Sequence, residues 1–406
     1  MQPRRVVVAG GGIGGLAAAA LLARTRHDVT LVERSSSLRA VGAGISLQPN
    51  GLAVADALGL VARLARHGSW QRVLALHDGR GRPLAQVEVP PAAAPLDAAL
   101  VVPRQVLHDA LADAAAAAGA AITTGAEVTG VAQEDDGVRV VVGPGGEHLR
   151  ADLLVAADGA RSAVRAGLAV GTQDVPGPVY LRALVPIGCP QELAGEHWDG
   201  NGLAGLVPCG AGATYWFASS TPDIRDAVAS GLVRSVRTSV SAAHPVLSGA
   251  VQALEHVRDL LVNQVHTVRT TSFVDGRVVL LGDAAHAMPP NLGQGANSAL
   301  VDAAVLALEL AGEGTWAQAL ARYDADRRPS VRRVQRDAER LARVAHWRHG
   351  RGLRDLAVRS TPAAVGRRAA RAAFQVDVVR LRDAVAALVD AGSGGPVGRG
   401  PTGMAS

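Results

Sequence analysis

The 406-residue sequence predicts an α/β protein: a three-layer domain around a mostly parallel sheet, an inserted α+β region, and helices towards the C-terminus. Three observations carry this expectation. Apolar runs at Val6 to Ala9, Leu153 to Ala157 and Val278 to Leu281 each lead into a turn rich in Gly and Asp, as buried parallel strands feeding helices do. Between them, Val179 to Val185 and Ala213 to Ala218 read as strands of a second sheet. The length exceeds what one compact core usually holds, so two domains are expected.

Composition narrows the class. With 48% hydrophobic and 19% charged residues, the chain has the balance of a folded soluble protein. A net charge of +5 and a pI of about 10.1 could suit nucleic acid. Acidic residues are interspersed, however, and the surplus Arg gathers near the C-terminus, so no nucleic-acid partner is expected. Cys189 and Cys209 lack redox or metal spacing and read as free buried thiols in a reducing compartment. His346 and His349 lie in an Arg-rich helical stretch without a third ligand and read as solvated surface, so no metal is expected. Arg4-Arg5 before an apolar stretch imitates an export signal, but the spaced glycines inside that stretch read better as a nucleotide turn. No apolar run is long enough to span a membrane, and a cytoplasmic location is expected.

The first element in order is the strand Val6 to Ala9. It ends in Gly10-Gly11-Gly12-Ile13-Gly14-Gly15, a G-x-G-x-x-G at Gly10, Gly12 and Gly15, followed by an Ala/Leu helix from Leu16 to Ala23. Gly10 permits the tight turn, Gly12 lets the backbone approach a pyrophosphate, and Gly15 lets helix and strand pack closely. The helix start offers unpaired N–H groups and positive dipole to phosphates. A second strand, Val29 to Val32, ends in Glu33 beside Arg34, where a carboxylate can accept from ribose hydroxyls. Gly200, Gly202 and Gly205 match the same spacing but have no strand before them and no helix after, and read as a loop.

The strand Leu153 to Ala157 runs into Asp158-Gly159-Ala160-Arg161-Ser162-Ala163-Val164-Arg165, where Asp158 or Ser162 can cap a helix. The strand Val278 to Leu281 leads into Gly282-Asp283-Ala284-Ala285-His286 and then Pro289-Pro290-Asn291-Leu292-Gly293-Gln294-Gly295-Ala296-Asn297 before another helix. Two prolines stiffen this loop, while Gly293 and Gly295 free its backbone to approach something flat. Asp283, at a strand end, can accept from a polyol hydroxyl.

These three motifs, in this order over roughly residues 5 to 330, resemble those of the class A flavoprotein monooxygenases, the para-hydroxybenzoate hydroxylase family. The resemblance implies a Rossmann-type FAD-binding domain whose flavin is covered by the sheet of the inserted domain. It implies that Glu33 binds the adenosine ribose and Asp283 the ribityl chain, with Gly293, Gly295, Ala296 and Asn297 along the isoalloxazine. Asp158 would serve FAD and the nicotinamide donor. Arg104, in Pro103-Arg104-Gln105-Val106-Leu107-His108, matches a family arginine near the flavin, although a surface arginine at a helix start is the alternative. Val41-Gly42-Ala43-Gly44-Ile45 matches the loop beside the ring. The implied cycle passes hydride from NADH or NADPH to FAD, and a C4a-hydroperoxide then gives one oxygen atom to an organic substrate in a dry pocket. Small-molecule substrate and molecular oxygen are thus the expected partners, with the protein a monomer or homodimer.

The expected organisation is a discontinuous cofactor domain (1–75, 100–172, 265–345), a substrate domain (76–99, 173–264), a C-terminal helical segment (346–391) and a loose tail (392–406). One long polar helix is expected from about Arg322 to His346. The substrate pocket is the least legible part. Arg182, Tyr215, Trp216 and Pro290 are its candidate lining residues, but Tyr215 and Trp216 could equally fill the sheet core and Arg182 could be a surface cation. No general base is visible before Pro208, where Leu203, Ala204 and Gly205 stand. An aromatic or polyketide-like substrate is expected, and epoxidation of an olefin stays open because it needs no base. A flavin oxidase or dehydrogenase is the alternative with the same cofactor, and a non-catalytic FAD-binding redox sensor is the alternative from another class.

Overall fold

In the computed structural model, which describes residues 4–39, 43–90, 92–143, 145–210, 212–347 and 349–393, the first apolar run forms β1 (Arg5–Ala9). Helix α1 (Ile13–Arg24) then crosses over to β2 (Asp28–Glu33), which pairs with β1 in parallel, Val7 opposite Thr30. On its other edge β1 pairs in parallel with β12 (Leu153–Ala156), and β12 with β19 (Val278–Leu280). Strands β8 (Ala121–Thr124) and β18 (Val274–Asp275) complete a sheet of order β18-β19-β12-β1-β2-β8. Every residue of β12 and β19 is buried, which explains their unbroken apolar sequences.

Helix α1 is buried almost all round, because its Ala-rich faces let β1, α4 (Arg104–Ala117) and α10 (Gly295–Ala311) approach closely. Burial of each of its leucines, Leu16, Leu21 and Leu22, contributes about 2 kcal/mol. A meander of β9 (Val128–Glu134), β10 (Gly137–Val142) and β11 (Glu147–Ala151) packs into the same core through Val138, Val140 and Val142. The three sequence motifs therefore follow the C-terminal ends of three adjacent parallel strands, the place where open α/β sheets bind ligands.

The second sheet has the order β17 (Leu261–Thr270), β13 (Thr172–Val185), β16 (Thr214–Ser219), β15 (Leu203–Pro208), β14 (Gly195–Trp198), β5 (Val73–Asp78), β6 (Pro83–Glu88). One face is sealed by α6 (Pro222–Ala229), α7 (Val233–Ala243) and α8 (Ser248–Gln252) over Leu181, Ala183, Leu206 and Trp216. Strand β5 begins at Val73 and β17 runs through position 265, so this sheet takes residues from both sides of the expected boundaries at 75 and 264. A small third sheet joins β3 (Gly44–Leu47), β7 (Ala99–Pro103) and β4 (Ser69–Gln71). Helices α2 (Pro49–Ala57) and α3 (Val61–Ala65) lie between β3 and β4 in the chain.

Several sequence expectations are corrected. The long helix α11 spans Trp316–Ala345, beginning earlier than Arg322 because Thr315 and Gln318 form a capping box. His346 is half-buried, with Nε2 3.0 Å from Ser219 Oγ, and only His349 is exposed. Gly200 and Gly202 sit between β14 and β15, and Gly205 lies within β15. A strand therefore does precede this glycine pattern, and it runs on into a second strand instead of a helix. Cys209 is buried but Cys189 only partly, and burial pushes both thiols up, to about 12 and about 11. The C-terminal helices are α12 (Arg351–Arg359), α13 (Ala363–Ala373) and α14 (Val378–Ser393); the expected loose tail falls almost wholly outside the described residues. No described helix is long and apolar enough to cross a membrane.

Candidate active site at the ends of three parallel strands

The glycine turn has the geometry its residue types require. Gly10 has φ of +101°, and a Cβ there would fall 2.5 Å from the Ala157 carbonyl oxygen. A Cβ on Gly15 would strike the Gly10 carbonyl oxygen, and one on Gly14 would meet Leu281 at 2.6 Å, so these two glycines serve close packing. Gly12 differs: it is exposed, and a Cβ there would meet nothing within 4 Å. His108 Nε2, 2.7 Å from the Gly11 carbonyl oxygen, braces the turn from α4. Ile13 is buried at the floor of the neighbouring cleft.

Glu33 closes the far side. Its carboxylate accepts from the Gly11 N–H at 2.7 Å and the Ser35 N–H at 2.8 Å. Burial alone would raise this acid, but those N–H groups outweigh it and hold Glu33 below the usual carboxylate range. Arg34 points to solvent 3.8 Å from Glu127. The cleft continues past Gly12, Ala157, Asp158, Gly159 and Arg161, so the first two motifs share one wall.

In the second motif Ser162 caps α5 (Ala163–Ala166) by accepting from the Arg165 N–H. Asp158 accepts from the Val164 N–H at 3.2 Å, while its other oxygen is buried with no partner. Arg161 is exposed on the cleft rim. Arg165, absent from the residues picked out from sequence, is buried and donates to the carbonyls of Ala284 at 2.6 Å and Ala160 at 2.7 Å. It thereby fastens the second motif to the third, and its place as the last residue of D-G-x-x-S-x-x-R was the available signal.

The third motif surrounds α9 (Asp283–His286), with Gly282 in the left-handed region at φ +61°. Buried Asp302 of α10 gathers it: the carboxylate accepts from the Gly282 N–H at 3.1 Å, meets His286 Nε2 at 2.5 Å and accepts from Arg327 Nε at 2.7 Å. Burial works against this charge, but His286 and Arg327 prevail and bring Asp302 down to about 2. Arg327 also donates to Gln375 Oε1 at 2.7 Å, and Gln375 donates to Ser298 Oγ at 2.7 Å.

The loop from Pro290 to Gly295 is held by amides. Gln294 Nε2 donates to Gln48 Oε1 at 2.7 Å, Asn50 Nδ2 to Gln294 Oε1 at 2.8 Å, and Gln48 Nε2 to the Leu292 carbonyl at 2.8 Å. Asn297 is fully buried and donates to the carbonyls of Ser46 and Gly293 while accepting from the Gln48 N–H. Its side chain therefore ties the loop to β3. Gly293 takes φ +62°, and Gly295 and Ala296 open α10 half-exposed. Val41 and Gly42 of the small-residue loop fall outside the described residues; Ala43 is buried, and Gly44 and Ile45 begin β3. Asp283 is exposed at the cleft, and Arg104 stands near it; burial lowers the basicity of Arg104 while the Asp283 charge restores part of it. Arg104 is thus an interior group facing Asp283, Arg182 and Tyr215, not a surface arginine.

Three features fit a dinucleotide carrying a flat ring. Helices α1 and α10 both start at this cleft, and no side chain caps the first N–H groups of either. Open space lies where Gly12 would carry a methyl, and a buried Asp158 oxygen lacks a donor. Residues 4–338 match the family described as FAD binding domain, and an aurachin C monooxygenase/isomerase of Stigmatella aurantiaca is 34% identical over 359 residues, 84% of this chain and 90% of that protein. The chain is a class A flavoprotein monooxygenase. A 2-heptyl-3-hydroxy-4(1H)-quinolone synthase of Mycobacteroides abscessus is 31% identical over 84% of this monooxygenase and 90% of its own length. The structure of Klebsiella pneumoniae HpxO, in a variant complexed with FAD, superposes with a TM-score of 0.78 at 26% identity, covering 92% of this chain and 99% of that one. The enzyme is accordingly FAD-dependent, with NAD(P)H as electron donor.

The second sheet of the monooxygenase turns its open face towards this cleft. Side chains alternate along a strand, so adjacent Tyr215 and Trp216 point opposite ways. Trp216 is fully buried beneath α6 to α8, which removes it from the pocket candidates. Tyr215 lies against Gly44, where a Cβ would fall 2.5 Å from its Cγ. On the same face Arg182 is opposite Phe217, Tyr180 opposite Ser219, and Glu196 opposite Gly205. Arg182 donates to Asn263 Oδ1 at 2.6 Å and stands 5.8 Å from the Tyr180 ring centroid. Gly205 has no side chain, and the Phe217 ring lies across the gap. Pro290 is half-buried at the start of its turn. Among the described residues no cluster of three or more His, Cys, Asp or Glu could hold a metal ion.

Proposed function

We propose that this enzyme hydroxylates a ring carbon of a planar, largely apolar aromatic substrate of the quinolone type, held between the second sheet and the flavin. The observation that carries this reading is the sheet face itself, where Tyr215 and Phe217 present aromatic surface beside Gly44. The relatives named for aurachin and heptyl-quinolone chemistry support the same substrate class.

In this reading the first sheet and its helices hold the cofactor, and the second sheet, with strands between Val73 and Thr270, forms the substrate side. Bound FAD supplies activation of molecular oxygen once NAD(P)H has reduced it. Gly10, Gly12 and the uncapped start of α1 cradle the pyrophosphate, and Glu33 takes the adenosine ribose hydroxyls. Asp158, with its unmet oxygen, orders the second loop against the cofactor, and Asp283 accepts from the ribityl chain. The start of α10 would offer N–H groups and positive dipole to negative charge on the bound ring. Arg104, half-buried near Asp283, would add a positive charge. Tyr215 and Phe217 exclude water from the space where oxygen is transferred.

The test is to load the protein with FAD and measure NADH and NADPH oxidation with 4(1H)-quinolones and with hydroxybenzoates under isotopically labelled oxygen. Quinolone-stimulated oxidation with one labelled atom in the product is expected. An unlabelled oxidised product would make the enzyme an oxidase or dehydrogenase instead.

A further inference from the structure

Glu196 stands on the cofactor-facing side of the second sheet. Its carboxylate accepts from Trp198 Nε1 at 2.6 Å, and no other hydrogen bond or ion pair reaches it among the described residues. The residue is half-buried with no cation beside its carboxylate, and the desolvation it does suffer pushes it up to about 7. Arg182, on the same face, is instead engaged by Asn263. Nearby, the Tyr180 hydroxyl and both amide atoms of Asn291 are buried, and none of them makes a hydrogen bond of good geometry. Tyr180 feels the charge of Glu196, and its hydroxyl faces the side chains of Ser219 and Asn291. Asn291 belongs to the Pro290–Leu292 turn of the third motif, so these unmet groups lie where that loop meets the sheet. Buried polar groups are nearly always paired, and a cluster of unpaired ones marks a place that a polar ligand completes.

We propose that Glu196, Tyr180 and Asn291 form the recognition site for a planar nitrogen heteroaromatic, whose ring N–H, or the O–H of its tautomer, bonds to the Glu196 carboxylate while its carbonyl is held by Asn291 and Tyr180. This rests on the aromatic monooxygenase reading and specifies its substrate chemistry. The contact also moves a proton. As the ring carbon next to the carbonyl takes up oxygen, the N–H bond breaks towards Glu196 and the nitrogen electron pair becomes a C=N bond. The ring C=C pair forms the new C–O bond. Loss of the proton on the oxygenated carbon then restores the aromatic ring as Glu196 returns its proton to nitrogen. Molecular oxygen and NAD(P)H balance the step, the second oxygen atom leaving as water.

The experiment titrates FAD-loaded enzyme with 2-heptyl-4(1H)-quinolone, its N-methyl analogue and 4-hydroxybenzoate, following the flavin absorbance change. The N–H quinolone should bind at least about tenfold more tightly than its N-methyl analogue, as expected for a hydrogen bond to a charged group. Glu196→Gln should abolish that preference, because its amide N–H would face the ring N–H, and should leave FAD affinity unchanged. Asn291→Ala should weaken both quinolones alike. Equal binding of the two quinolones, undiminished binding by Glu196→Gln, or no quinolone binding overturns the inference. Should the Gln variant lose FAD, the wild-type comparison of the two quinolones decides alone. Labelled oxygen appearing in a hydroxybenzoate while no quinolone binds would sink this site and leave the aromatic monooxygenase reading standing; failure of every aromatic to gain labelled oxygen would sink that reading itself.

Discussion

At the scale of single residues, the glycines of the first turn separate folding from binding. Gly12→Ala places a methyl in open space at φ −75°, so apo stability should stay within about 1 kcal/mol of wild type while FAD affinity falls at least about tenfold. Gly15→Ala drives its methyl into the Gly10 carbonyl and should instead impair folding, seen as lost soluble yield or a much lower Tm. Glu196 makes an opposite kind of prediction. Its folded acidity constant, about 7 against an ordinary 4.5, means the unfolded chain releases the proton more readily. The resulting penalty is absent below about pH 4.5 and complete above about pH 7. Glu196→Gln keeps an acceptor for Trp198, so calorimetry at pH 8 should show a gain of up to about 3 kcal/mol that shrinks towards pH 5. Tyr180 and Arg182 face the same region and are unchanged in that variant.

At the scale of elements, local sequence and structure agree wherever the determinants are local. The turn after β1, the Ser162 cap and the Asp283 helix each lie within a few residues of the strand that precedes them, so their chemistry was legible from spacing. Helix α11 shows the limit: its long polar run was visible, but its start depended on the Thr315 and Gln318 pair, a short-range signal easily passed over beside so long a run. Thr315→Ala should cost about 1 kcal/mol, measurable by denaturant unfolding. The Tyr215–Trp216 pair was undecidable for a different reason. Neighbours on a strand must face opposite sides, yet which side meets the flavin depends on helices α6 to α8, encoded after the strand itself.

At the scale of the whole molecule, the substrate face is assembled from strands whose sequence positions run from 73 to 270, and no contiguous motif could announce it. That is why the three strand-and-turn motifs could be read from contiguous sequence while the neighbourhood of Glu196, Tyr180 and Asn291 could not. The same non-locality makes Asp302 a hub, since it joins the Gly282 turn, His286 and, through Arg327 and Gln375, the link between α13 and α14. Asp302→Ala strands a buried guanidinium and should lower stability by about 3–5 kcal/mol, with FAD retention falling in parallel on gel filtration. Its acidity of about 2 lies below the ordinary 3.8, so the contribution of the wild-type carboxylate is complete above about pH 4 and lost as pH falls through 2.

The missing side chain at Gly205 has an evolutionary corollary. Because the Phe217 ring rests where a larger residue would go, any substitution at 205 must swing that ring aside and recontour the cavity without touching the flavin machinery. A substitution there should therefore alter the face offered to substrate while leaving the residues of the cofactor cleft in place.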